Sequence, residues 1–434
     1  MSEGEDFWRR AVPAPRVGVL ESYWLVGMRA LRVLMAQAPG GTCAAALSRL
    51  RPRRPDCATG ALISQEAYLA DASLRRSGPS LTQGEIFRCM ESAGLRCGFA
   101  DWRSAAYAPE IAGADIIVTW HPEVLQRLPA FSRSTKVYCT VSTHIEERQQ
   151  RLRESAQRWG LPCEDWANGY PFRAGRRMVE CLMKLAVQKR RWEFRAAYRL
   201  ADHLLIVEND AGVANYTRRG VPASKILRYN NATDTDIWVP AKVKRQPFTF
   251  VCWSSSHGLR KGLPSLVSAW RQWYRGQGAE LWLIGIPTVV SDRLFGRLTQ
   301  GEPAPGLRLN LGVFPSQYRP VIDFVASCHV AVFPTLEDAQ PAALLEMASC
   351  GLPVITTVES GFEFPETFCR YVARDAPEQL AEALEYWFSR RDELQGPALA
   401  ARAYIEQNHR WSCFRARFME ILTELMARRR RGER

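Results

Sequence analysis

At 434 residues the chain is too long for one ordinary core and fits two domains of about 200 residues each. Its net charge of +13, carried mostly by arginine, narrows the partners to anions. No apolar run reaches the roughly 20 residues of a membrane span, no cleavage site marks a signal peptide, no RNP-like strand, Cys/His finger or heptad-linked basic region marks a nucleic-acid module, and the 12 cysteines lack CxxC or metal-ligand spacing, so reduced core thiols in a cytoplasmic protein are expected.

In chain order, Arg16 to Leu20 has the composition of a strand, and Trp24 to Ala36 spaces Leu25, Met28, Leu31, Leu34 and Met35 as a helix. Ala67 to Ala70 reads as a short strand before the turn cluster Ser77-Gly78-Pro79-Ser80. Gln83 to Ala93 has helical spacing, Gly94 ends it, and Leu95 to Ala100 follows as a strand. Ala114 to Trp120 and Thr135 to Val141 are apolar on successive residues, as parallel strands buried on both faces are. Ser142-Thr143-His144 closes the second of these, at the carboxyl end where open α/β sheets hold ligands. On these residues alone His144 reads equally as a surface residue and as a site donor.

Glu146 to Arg199 is helical in pattern and basic, with Arg173, Arg176, Arg177, Arg191 and Arg195 among aromatics such as Trp159 and Trp192. It reads either as a solvated helical face or as the place where an anionic acceptor or membrane surface is met. A helix end runs into a strand from Tyr198 to Val207, and the Pro- and Lys-bearing linker Val239 to Pro247 divides the chain.

The second half opens on the strand Phe248 to Trp253, then Ser254-Ser255-Ser256-His257-Gly258-Leu259-Arg260-Lys261-Gly262, then a helix carrying Leu263, Leu266, Val267, Trp270 and Trp273. Small residues let backbone N–H groups approach a ligand, and Arg260 and Lys261 supply charge, so the turn reads as a diphosphate cradle, with an ordinary exposed turn as the alternative. Strands at Glu280 to Gly285 and Leu307 to Leu311 lead to Gly312-Val313-Phe314-Pro315 and a helix from Gln317 to Ala326. Val330 to Phe333 is a central parallel strand stopped by Pro334, and Glu337 and Asp338 precede Pro341, which suits a first helical turn. Leu344, Leu345, Met347 and Ala348 give that helix its apolar face, Glu346 sits inside it, and Gly351 with Pro353 ends it before Val354 to Thr357. A helix start suited to phosphate, with carboxylates that accept hydrogen bonds from hydroxyls, points to a sugar nucleotide. Pro377 to Phe388 and Ala398 to Met426 are amphipathic helices, and Arg428 to Arg434 reads as a solvated tail.

The stretch PTLEDAQPAALLEMASCGLPVI, Pro334 to Ile355, resembles the acid-x7-acid motif of retaining GT-B glycosyltransferases, in particular glycosyltransferase family 4, with Asp338 and Glu346 on the two acid positions. The turn ending Arg260-Lys261-Gly262 resembles the family's phosphate loop, and Ala201 to Trp238 its phrase closing the first domain. Val141 to Gln149 with Arg158-Trp159-Gly160 looks like a bacterial branch whose matching histidine faces the donor sugar. Three departures stand out. The first acid is Asp with Glu337 beside it, Ala232-Thr233 replaces Gly-Val, and the usual early loop arginine is missing, leaving Arg260 or His257 to replace it.

The resemblance implies an α/β GT-B architecture, two Rossmann-like domains with parallel sheets facing a central cleft. Residues 1–238 would form the acceptor-side domain, 247–395 the donor domain, and 396–434 helices crossing back to the first. It implies retaining transfer of a sugar from a nucleotide-diphosphate donor to a glycan, lipid-linked or other acceptor, in bacterial surface polysaccharide or glycoconjugate synthesis. No metal or other cofactor is expected, nor nucleic acid. The place of work would be the cytoplasm or the cytoplasmic face of the inner membrane, peripherally. By the same resemblance Arg260, Lys261 and Gly258 hold the donor diphosphate, Glu346 the ribose, and Val313 and Phe314 the base through backbone atoms. Asp338 or Glu337 contacts the sugar, and His144 caps it. The rival reading is a GT-B partner subunit that binds nucleotide poorly and acts as a scaffold; an epimerase or phosphorylase finds no matching signature.

Overall fold

The structure, a computed structural model, describes residues 59–64, 78–101, 114–126, 134–140, 142–161, 177–207, 209–253, 258–286, 304–311 and 319–432. The elements expected at Arg16 to Leu20, Trp24 to Ala36 and Ala67 to Ala70 lie outside the described residues, as do His257, Val313, Phe314, Arg173 and Arg176.

The first half runs β1 (Thr59–Ser64), α1 (Gly78–Ser92), β2 (Arg96–Asp101), β3 (Ile116–Thr119), α2 (Pro122–Gln126), β4 (Thr135–Thr140), α3 (Ile145–Arg158), α4 (Arg177–Leu200), β5 (His203–Ile206), α5 (Asp210–Thr217) and β6 (Ile226–Arg228). Its six strands lie in the order β2-β1-β3-β4-β5-β6, every neighbouring pair parallel. The second half runs β7 (Phe248–Trp253), α6 (Leu263–Trp273), β8 (Ala279–Ile286), β9 (Leu307–Leu311), α7 (Arg319–Ser327), β10 (Val330–Phe333), α8 (Ala342–Ser349), β11 (Val354–Thr356), β12 (Cys369–Tyr371), α9 (Pro377–Ser389), α10 (Gln395–Asn408) and α11 (Trp411–Arg430). Here the order is β12-β11-β10-β7-β8-β9, again parallel throughout. These are two Rossmann-like α/β units. In the second, the chain leaves β7 in one direction and returns to β10 on the other side, so the crevice between the β7 and β10 loops is a topological switch point, where such sheets take ligands.

Strand periodicity sorts the core of the second unit. Phe248, Phe250 and Cys252 point to one face, against Leu266, Trp270 and Trp273 of α6 and Leu380, Leu384 and Trp387 of α9. Val251 and Trp253 point to the other, against Phe324 of α7, Leu344 and Met347 of α8 and Ile405 of α10. Each such side chain taken out of water contributes roughly 1.5–3 kcal/mol, which fixes the strand ends that carry the loops.

The last helix belongs elsewhere. Phe414, Phe418, Ile421, Leu422 and Leu425 of α11 pack with Ile86 and Met90 of α1 and Val118 and Val137 of the first sheet. The chain therefore passes between the halves twice, and the two passages touch where Thr233 N–H donates to His409 O at 2.8 Å. Arg402 of α10 donates to Trp238 O, Ser349 O and Thr235 O at 2.6, 3.0 and 2.8 Å, fastening linker and α8 to one guanidinium.

Three expectations need correcting, the first being that Gly78, Pro79 and Ser80, expected in a turn, open α1. Pro341 is the residue before α8, with extended backbone, and helical conformation begins at Ala342. Arg428, Arg429 and Arg430 form the last turn of α11, where cations favour the helix dipole, and Arg429 is paired with Asp115 at 2.5 Å. They are part of the fold, not a tail.

Candidate active site

Two loops build one wall of the site. The turn after β7 ends at Gly262, whose φ of +67° suits glycine. A Cβ there would lie 1.9 Å from Pro334 O, so no side chain fits between the loops. Leu336 N–H and Thr335 Oγ1 donate to Arg260 O at 2.8 and 3.0 Å, stitching the loop after β10 to the turn after β7. Gly258 lies buried in the same turn, its carbonyl accepting from Leu263 N–H at 3.0 Å.

This seam brings the sequence-predicted cations and acids together. Arg260 Nε lies 2.7 Å from Glu337 Oε1 and its Nη2 donates to Asp338 Oδ1 at 3.0 Å. Lys261 Nζ pairs with Asp338 Oδ2 and stands 4.7 Å over the ring of Phe333. Both halves of that pair are buried. Burial pulls the Lys261 ammonium below its ordinary range, against the opposing pull of Asp338. Burial would raise the Asp338 carboxyl, but Lys261 and Arg260 outweigh it and hold it below the usual value.

The other wall comes from the first half. The turn after β4 is held by α5: Tyr216 O–H donates to Ser142 O at 2.6 Å and Asn215 Nδ2 to Thr143 Oγ1 at 3.0 Å. His144 then caps α3, its Nδ1 accepting from Glu146 N–H at 3.4 Å, so the neutral ring carries its proton on Nε2. The ring packs 4.7 Å from Tyr198 and 5.6 Å from Tyr216, centroid to centroid. Burial lowers its pKa to about 4, so it is uncharged at neutral pH. The surface reading of His144 does not hold: the residue is 4% exposed and caps a helix, with the proton on its second nitrogen.

The walls meet. Thr143 N–H donates to Glu337 Oε2 at 3.1 Å, Arg148 Nε lies 3.5 Å from Glu337 Oε1, and Arg151 Nη1 donates to Leu336 O at 3.3 Å. Sequence reading gave no role to Arg148, although its place one helical turn after His144 puts both on one face of α3. Gln340 was also missed. Its φ of +48° is unusual for a side-chain-bearing residue, and its side chain and backbone carbonyl bond Asn230 and Asn231 across the cleft. Among the described residues, three cations face two carboxylates in this cluster, leaving a positive excess in a buried place.

Glu346 stands apart. It is buried in α8, 7% exposed, and its carboxyl has no hydrogen bond or ion pair among the described residues. Burial alone raises its pKa to about 8. The basic helix α4 differs from a uniformly solvated face: Arg191 bonds Gln149 and Arg195 pairs with Glu146, while Trp192 remains 53% exposed. Among the described residues no group of three His, Cys, Asp or Glu side chains is placed to hold a metal, and no helix is long and apolar enough to cross a membrane.

Comparison with known proteins agrees with this layout. Residues 247–390 match the sequence model of the family described as Glycosyl transferases group 1. The fold is similar to sucrose-phosphate synthase from Thermosynechococcus elongatus, with a TM-score of 0.61 at 14% identity, covering 85% of this chain and 99% of that one. It is also similar to HepE from Anabaena in complex with UDP (TM-score 0.57, 13% identity, 84% and 100% covered). A third likeness is to α,α-trehalose 6-phosphate synthase from Burkholderia multivorans (TM-score 0.57, 12% identity, 86% and 99% covered). Among curated proteins none matches the chain. At these identities the likeness shows the fold, which is GT-B: two Rossmann-like domains across a cleft.

Proposed function

We propose that the chain is a retaining, metal-independent glycosyltransferase that moves a sugar from a nucleotide diphosphate to an acceptor hydroxyl. The observation that carries this is the convergence of Arg260 and Lys261 with the acid loop at the switch point of the second sheet, directly across from His144. The match of residues 247–390 to a glycosyltransferase family, and a similar fold crystallised with UDP-glucose, support it.

In this reading the sugar–phosphate bond breaks as the bond to the acceptor oxygen forms on the same face, and the acceptor proton passes to the departing phosphate oxygen. Negative charge grows on the diphosphate. Arg260 and Lys261 at the Gly258 turn, backed by the α6 N-terminus, are held in place by Glu337 and Asp338 before the donor arrives, and the phosphates take Lys261 over from Asp338. The uncharged His144 presents Nε2–H to the sugar. Asp338 takes the sugar hydroxyls once the phosphates engage Lys261, and Glu346 takes the ribose hydroxyls. The base is read by backbone at Val313 and Phe314. The acceptor is a glycan or lipid-linked species of bacterial surface glycoconjugate synthesis. The enzyme works in the cytoplasm, with the exposed Trp192 and neighbouring cations of α4 resting on an anionic inner-membrane surface.

The test is a panel of UDP-, ADP- and GDP-sugars followed by NMR for hydrolysis and transfer. The expected result is consumption of one donor with the anomeric configuration retained in the product. A protein that binds no nucleotide and turns over no donor would be the scaffold subunit instead. The pairing of Arg260 and Lys261 with acids is the observation on that side.

A further inference from the structure

Glu337 and Asp338 are adjacent, but their oxygens are used differently. Asp338 is satisfied within its own half, by Arg260 at 3.0 Å, by Lys261 and by Ala339 N–H at 3.1 Å. Glu337 reaches across. Its side chain is wholly inaccessible, and while Arg260 of its own half lies 2.7 Å from Oε1, the other contacts come from the first half: Arg148 to Oε1 and Thr143 N–H to Oε2. Thr143 immediately precedes His144, and Arg148 follows it by one turn of α3. The two contacts therefore bracket the histidine, and where Glu337 goes, the His144 turn follows. In the motif resemblance Glu337 occupies an unspecified position before the first acid, so nothing there assigns it this work.

We propose that Glu337 is the positioning residue that docks the His144 turn onto the donor half, with Arg148 and the Thr143 N–H as its counterparts across the cleft. A carboxylate enclosed by two guanidiniums and a main-chain N–H has no solvent to turn to, so it favours the arrangement in which all are present. Opening the cleft takes away the hydrogen bond from Thr143 N–H and the ion pair with Arg148, leaving Arg260 alone beside it. Glu337 thus stabilises the closed arrangement in which the His144 turn meets the acid loop. Asp338 is left as the acid of the pair available to the sugar. The geometry of this contact stands on its own, and its use in sugar transfer rests on the function proposed above.

The experiment compares wild type with Glu337→Gln, Arg148→Met, the double variant and Arg374→Met, which removes an exposed cross-cleft pair with Glu154. Small-angle scattering reads cleft opening, calorimetry with UDP, ADP and GDP reads the nucleotide site, and circular dichroism melts confirm the fold. Glu337→Gln and Arg148→Met are expected to have a larger radius of gyration than wild type, the double variant no larger than the greater single, and Arg374→Met the wild-type value. Nucleotide affinity should stay within about threefold in Arg374→Met, whose pair with Glu154 touches neither loop of the site. Unchanged scattering in folded Glu337→Gln and Arg148→Met, or additive opening in the double, overturns the proposal. If Glu337→Gln does not fold, Arg148→Met carries the same test. Absence of nucleotide binding in every protein would remove the transferase reading and leave the docking contact to be judged by scattering alone.

Discussion

The loop after β10 and the helix α8 that follows it carry the same kind of side chain in opposite surroundings. In the loop, Glu337 and Asp338 are compensated by Arg148, Arg260 and Lys261 before any substrate arrives. On the helix, Glu346 has no such counterpart among the described residues, and burial holds its proton to about pH 8. The loop acids thus set the position of cations and of the facing half. The helix acid, without such partners, is the one the proposed function gives to the ribose hydroxyls. Burial is common to both, so the difference lies in the partners.

The widest break in this comparison comes from the backbone beneath it. Gly262→Ala puts a methyl into Pro334 O and a side chain at positive φ, which forces the two loops apart. A loss of about 3 kcal/mol or more of stability is expected in denaturant unfolding, together with loss of nucleotide binding. Next in size, Lys261→Ala leaves Asp338 with Arg260 but removes the second cation from the diphosphate. Turnover of whichever donor the NMR panel identifies should fall by about 100-fold or more with the fold intact, and full activity would remove Lys261 from its assigned place.

Glu346→Gln sharpens the other side. Nucleotide affinity should drop by about tenfold, because the amide puts an NH2 donor where a carboxyl oxygen would accept from a ribose hydroxyl. The same variant separates the two regions by pH. Because the folded Glu346 pKa of about 8 lies above its ordinary 4.5, the neutral form's contribution is complete below 4.5 and is lost as pH rises towards 8. Glu346→Gln should therefore melt above wild type at pH 8 and level with it at pH 4. Asp338 runs the other way: its depressed value means stability present above its ordinary 3.8 and lost as pH falls through the folded value. Asp338→Asn should show its largest deficit near neutrality and converge with wild type in acid. The smallest expected effect is Arg374→Met: its pair with Glu154 is largely exposed, so less than about 1 kcal/mol should be lost in thermal melts.

Much of the second sheet was legible because its strands are continuous apolar runs and its helices keep a 3.6-residue apolar stripe, as in β7, β10 and α8. Punctuation such as Gly351 and Pro353 gave the ends closely. In the first half β1 went unread: Thr59–Ser64, TGALIS, is too short and too rich in small residues to signal a strand. The cations and acids of the site were legible as residue types, but not their pairing. Arg148 and Glu337 are 189 residues apart, and only the meeting of two separately folded units brings them into contact. Local spacing reports what shares a helix face or a loop; it carries no record of what the opposite domain presents.

The double passage of the chain between the halves limits how they can move. A single tether would let one domain tumble freely about the other, whereas two passages of chain joined at Thr233 and His409 restrain how the halves turn about each other. Because α11 supplies part of the first domain's interior, shortening the chain before His409 would break that join and uncover the apolar surface of α1 together.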